Sequence, residues 1–136
     1  MTETMLAIGA FLLVLTLFVA FQWWAKKSRR LPASQAKALW KSFATAESQP
    51  DLHRRVLDAA KVVESTLKAK GYQGSFADML RTAGPAIPGV QSVWDGLKLR
   101  NRIAHESDVS VDARTADRAV AAFERALKVF LGSRSA

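Results

Sequence analysis

The chain contains no cysteine. That excludes disulfides, thiolate zinc sites and cysteine-ligated iron–sulfur clusters, and it leaves a small fold without a covalent staple. Histidine is nearly as scarce, with His53 and His105 the only two. No stretch alternates apolar and polar residues over any useful length, so no strand is expected. Acidic residues are few against basic ones, 12 Asp and Glu to 20 Lys and Arg, a formal +8 that suits anionic lipid, RNA or DNA. Gly84, Pro85, Pro88 and Gly89 interrupt the chain without the spacing of a phosphate-binding glycine loop. No metal and no cofactor are expected.

One long apolar run stands out. Met5 to Trp24 carries no charge, and 20 residues at helical rise reach about 30 Å, the hydrocarbon thickness of a bilayer. Trp23 and Trp24 close it as interfacial aromatics, and Lys26, Lys27, Arg29 and Arg30 follow. The run is read as a retained transmembrane helix and not a cleaved signal peptide, because no cation precedes it and no small-residue cleavage site follows. The positive-inside rule then places the C-terminal part in the cytoplasm, with residues 5–30 in contact with membrane lipid. The expected division is an outer N-terminus at 1–4, a transmembrane helix at 5–24, a basic linker at 25–33, a helical domain at 34–132 and a tail at 133–136. About 110 residues remain for the domain, enough for one modest core and not two.

Helical periodicity fills that domain. Ser34 is placed to cap a first helix running to Glu47, with Ala36, Leu39, Trp40 and Phe43 on one face. Asp51 opens a longer helix whose stripe is Leu52, Val56, Ala59, Ala60, Val63 and Leu67, and Gly71 ends it. Ser75 and Asp78 have capping-box spacing for a short helix from Phe76 to Thr82. Val90 starts the next helix. Asp112 caps the last, with Val111 set as a staple and Ala116, Ala119, Val120, Phe123, Leu127 and Phe130 as its stripe. The fold class is therefore all-α: an N-terminal transmembrane helix, then an antiparallel bundle of four to five helices.

The densest polar patch lies near the end of the helix that starts at Val90, in LKLRNRIAHES, Leu97 to Ser107. At 100° per residue, Val90, Val93, Trp94 and Leu97 define a buried face that continues into Asn101, Ala104 and His105, with Arg100 on its flank. Leu99, Ile103 and Lys98 are expected to point elsewhere. Polar groups on a core face need partners, since each unpaired one costs about 1–3 kcal/mol. Two explanations stand side by side. In one, Asn101 and His105 satisfy helix ends and Arg100 pairs with Asp58 or Glu124, making a structural polar layer. In the other the layer is a site: arginine offers a planar fork for phosphate, histidine titrates near neutral pH, and asparagine orients, a set suited to phosphodiester cleavage without metal.

The run from Leu52 to Leu131 resembles a HEPN-superfamily domain, whose signature in its usual form is RN-x-x-x-H, matched here by Arg100, Asn101 and His105. DAAKVVESTLKAKGYQG, SVWDGLKLRNRIAHE and the final helix are similar to short membrane-anchored HEPN-like bacterial proteins. The resemblance implies a homodimer that brings both Arg and His pairs into one cleft where RNA is cut without metal. His105 would then act as general base or proton donor, Arg100 as phosphate clamp, Asn101 as orienting group, and Asp58 as the acidic position that steadies the arginine. It also implies a toxin or defence role with an antitoxin or other protein partner. A non-catalytic helical docking module at the cytoplasmic face is the alternative.

Overall fold

The computed structural model describes residues 1–27 and 30–134, the side chains of 25–27 excepted. It is all-helical: α1 (Thr2–Lys27), α2 (Ala33–Glu47), α3 (Leu52–Ala69), α4 (Phe76–Ala83), a 3-10 turn at Gly84–Ala86, α5 (Val90–His105) and α6 (Ala113–Leu131). No strand occurs among the described residues. The chain divides into two compact units, Met1–Arg30 and Leu31–Ala136.

The first unit is α1. Its apolar stretch Thr2–Trp24, 23 residues, is long and apolar enough to cross a membrane. Large side chains such as Phe11, Phe18 and Trp24 are exposed. Thr16, the hydroxyl in its middle, donates to the carbonyls of Leu12 and Leu13, so the helix backbone itself satisfies this polar group. The helix starts at Thr2 and ends at Lys27, beyond both ends of the expected span. The basic run from Lys26 to Arg30 lies partly outside the described residues, as does the end of the 133–136 tail.

The second unit is built on short-range signals. Asp51 caps α3, accepting from the amides of His53 and Arg54. Past the end of α3, the Gly71 amide donates to Lys68 and the Tyr72 amide to Leu67, a Schellman closure that needs the left-handed φ of 95° at Gly71. Ser75 and Asp78 form the full capping box on α4. The Asp112 carboxylate accepts the Thr115 amide at 2.7 Å. The expected cap at Ser34 is displaced: α2 begins at Ala33 with Pro32 at the N-cap and no side-chain cap. Proline's fixed φ suits a helix start, and Ser34 falls inside the first turn.

The core gathers the predicted stripes: Trp40 and Phe43 from α2, Val56, Ala59, Ala60, Val63 and Leu67 from α3, and Ala116, Ala119, Val120, Phe123 and Leu127 from α6. Leu39, Leu52 and Phe130 pack partly buried at its margin. Short turns reverse the chain between α2 and α3 and between α5 and α6. The third neighbour relation differs from the antiparallel expectation. At the start of α3, His53 Nε2 lies 2.6 Å from the Val109 carbonyl just before α6, and Arg55 reaches Asp117 early in α6 at 3.4 Å. At the far ends, Tyr72 packs edge-on to Phe130. Hence α3 and α6 run parallel. The segment between them carries α4 and α5, so the chain returns before α6 begins.

Two contacts fix the edges. Arg134 joins Glu47 at 2.9 Å and Glu124 at 3.4 Å while stacking over Trp40 and Phe43, and its hydrogen bond to Glu47 holds its pKa above the usual value. On the other side α5 approaches α6 where Gly96 faces the Phe123 ring; a Cβ there would sit 2.9 Å from Phe123 Cζ.

Gly96→Ala tests this approach. Helix propensity gains about 1 kcal/mol, whereas overpacking against the buried ring costs about 1–3 kcal/mol, so the variant unfolds at lower urea. In a Phe123→Leu background the cost of Gly96→Ala falls; a Gly96→Ala that raises the midpoint in the parent would contradict the contact. A second test uses pH. Hydrogen bonds from the Thr115 amide and hydroxyl, aided by Arg118 and Arg114, hold the Asp112 carboxyl below its ordinary range. A lowered folded-state pKa gives stability that is complete above the unfolded value and is lost as pH falls through the folded one. Asp112→Asn keeps a good N-cap, so it should leave the neutral-pH midpoint little changed and flatten the acid limb below about pH 4; an unaltered acid limb would contradict this.

Candidate functional site: a polar cluster at the end of α5

The buried positions of α5 are Val93, Gly96 and Leu97. Leu99 and Ile103 then pack partly buried against the core, and Asn101, Ala104 and His105 are exposed. This reverses the expected phase over the last two turns. The cause is that α5 leans on both α3 and α6. Two supports widen the covered arc, and near the C-terminal end the arc towards α6 stays covered, with Leu99 lining the groove between the two helices.

Arg100 is half-buried. Its Nη1 donates to Asn101 Oδ1 at 3.0 Å, and no ion pair forms with either carboxylate expected for it. Asp58 lies 4.0 Å from Arg54 on its own helix and lines a separate groove of about 340 Å³ between α2 and α3, with Ser42, Thr45, Lys61 and Ser65. Glu124 is engaged by Lys128 and Arg134. The structure thus brings Arg100 and Asn101 together, sets His105 one turn on as the last residue of α5, and places Asp58 beside Arg54. A structural polar layer is not what these residues form, since Asn101 and His105 meet solvent and Arg100 is bonded to its neighbour.

The His105 imidazole makes no hydrogen bond among the described residues. The chain leaves the helix at Glu106, whose amide donates to the Arg102 carbonyl at 2.8 Å and whose carboxylate lies 3.6 Å from Arg102 Nε. The following loop is pinned by burial of Val109 and Val111 and by the other histidine, His53, through Val109. Sequence reasoning missed that role. Nothing local links His53 to a carbonyl in a loop before the last helix, and only the parallel placement of α3 and α6 does so.

Chemically, the cluster offers an arginine fork oriented by an amide and an unengaged imidazole, all open to a large partner. Neither of the two grooves described in the helical unit is lined by Arg100, Asn101 or His105. No group of three or more His, Asp or Glu able to hold a metal occurs among the described residues. Comparisons with protein-family models, curated proteins and solved structures gave no match. The class defined by fold and site is therefore an all-helical unit behind a single apolar helix, with a cationic polar cluster at the surface.

Proposed function

We propose that this chain is a single-pass, membrane-anchored, HEPN-like helical protein whose domain serves as a docking module at the cytoplasmic face. The observation that carries this is the exposure of Asn101 and His105 beside half-buried Arg100, a polar set that the fold does not use to close its core. The apolar stretch of α1 supports the anchor. Four cations at 26–30 against a single acid, Glu3, before the apolar run support a cytoplasmic domain. Residues 5–30 would meet lipid, and the surplus of positive charge favours an anionic partner, whether a protein of antitoxin type or RNA.

A metal-independent ribonuclease is the second reading, favoured by the unengaged His105 imidazole next to the Arg100–Asn101 hydrogen bond. Two copies would supply one cleft. His105 of one copy would take the ribose 2′-hydroxyl proton as the 2′-oxygen attacks phosphorus. The P–O5′ bond would break as the 5′-oxygen leaves with a proton from the other copy's imidazolium, giving a 2′,3′-cyclic phosphate and a 5′-hydroxyl. Arg100 would clamp the phosphate. Asp58, which lies beside Arg54 on its own helix, is given no part in this scheme.

The purified chain in detergent micelles, incubated with a broad RNA panel in EDTA, separates the two. A docking module leaves the RNA intact. Cleavage that His105→Ala and Arg100→Ala abolish, with both variants melting like the parent, would replace docking by catalysis.

A further inference from the structure

We infer that the groove between α5 and α6 binds a small acidic amino acid, glutamate or aspartate, with its two carboxylates on Arg118 and Arg125 and its ammonium on Asp95. The site shares no residue with the Arg100–His105 cluster and goes beyond the docking role proposed for the domain.

The groove encloses about 210 Å³, with Gly96, Leu99 and Ala119 at its floor. That is below the range of roughly 300–1,000 Å³ found for drug-sized ligands. The occupant is therefore of amino-acid size, and neither a nucleotide nor a folded partner fits within it.

Three charges line this space. Arg118 and Arg125 stand on the α6 wall, two turns and so about 10 Å apart along the axis. Asp95 stands on the α5 wall. Its neighbour Gly96 abuts the Phe123 ring, and Phe123 falls between the two arginines in α6, so Asp95 is set opposite the interval between them. Neither arginine has a carboxylate within ion-pair distance among the described residues. The acids near them are taken: Asp117 by Arg55, Glu124 by Lys128 and Arg134, and Asp112, which feels Arg118 only through space, by the Thr115 amide. Asp95 accepts one hydrogen bond from Gln91 at 3.1 Å and has no cationic partner.

The opposite charges thus face each other within one copy without closing on each other. A molecule that bridges them must carry the reverse set, two anionic groups with an amine between. Inorganic phosphate or a simple dicarboxylate suits the arginines but brings negative charge towards Asp95, and a polyamine suits Asp95 but not the arginines. An amino dicarboxylate matches all three. Each guanidinium offers a planar fork to one carboxylate, Asp95 and the Ser92 hydroxyl on the same wall accept from the ammonium, and the methylene carbons rest on Leu99 and Ala119. The site's surplus positive charge also meets the ligand's surplus negative one.

The test is isothermal titration calorimetry of the full chain in detergent micelles, at constant ionic strength because exposed pairs are screened by salt. L-Glutamate, L-aspartate, glutarate, 4-aminobutyrate and inorganic phosphate are the titrants. Glutamate or aspartate should bind saturably, one per chain, with Kd about 1 mM or tighter. Glutarate, which lacks the ammonium, and 4-aminobutyrate, which lacks the α-carboxylate, should bind about tenfold more weakly. Arg118→Gln and Arg125→Gln should each weaken glutamate binding by about tenfold. Asp95→Asn should abolish the preference for glutamate over glutarate, a readout that a merely structural role for Asp95 would not move. All three positions are exposed, and circular dichroism melts matching the parent show that the variants fold. The inference is overturned if neither amino acid binds saturably, or if glutarate or phosphate binds the parent as tightly as glutamate does. It is equally overturned if glutamate binds the three variants as it binds the parent. None of these outcomes bears on the RNA result in EDTA, so the docking role is judged separately.

Discussion

The helical unit depends on the burial of α3. It touches α2, α4, α5 and α6, and Val56, Ala59, Ala60 and Leu67 are wholly covered. A helix covered on so many sides has little room for polar groups. The one it carries inside, Thr66, donates to the Val62 carbonyl at 2.8 Å and so leaves no unpaired hydroxyl. The alanines matter as much as the larger residues, because they let neighbouring helices come close in a chain with no disulfide to hold them.

The surface features follow from that arrangement. With α3 central and α6 parallel to it, the loop before α6 falls beside the start of α3, where His53 meets the Val109 carbonyl of the loop and Arg55 meets Asp117 in the first turns of α6. The last turns of α5 lie next to that secured loop. Gly96 against Phe123 sets how near α5 comes to α6, and hence the groove whose walls carry Asp95 on one side and Arg118 and Arg125 on the other. The polar cluster and the groove are two outcomes of placing one helix.

What could be read from the sequence was local. Asp51, Ser75 with Asp78, and Asp112 were legible as caps because each acts on amides two or three residues away. The stripes of α3 and α6 were legible because a long helix with one covered face repeats its pattern several times. The end of α5 was not. Val93 and Leu97 point the face towards Asn101 and His105, but a helix with two supports has no single face, and Leu99 and Ile103 pack partly buried against the core, Leu99 in the groove beside α6. The parallel pairing of α3 and α6 was hidden for the same reason, as it depends on residues far apart in the chain. Arg100 and Asn101, singled out from the sequence, share a hydrogen bond, while Asp58, joined to them by resemblance, lies beside Arg54 on its own helix.

The central claim is that a core organised by α3 presents the Arg100–His105 cluster at the surface without building it in. Amide hydrogen exchange of the folded chain at neutral pH measures this most directly. The structure predicts that amides from Val56 to Leu67 exchange only through global unfolding, while those of Arg102 to His105, in the last turn of α5, exchange through local fraying at rates higher by orders of magnitude. Equal protection of the two segments would show that the cluster belongs to the core, and would contradict the account.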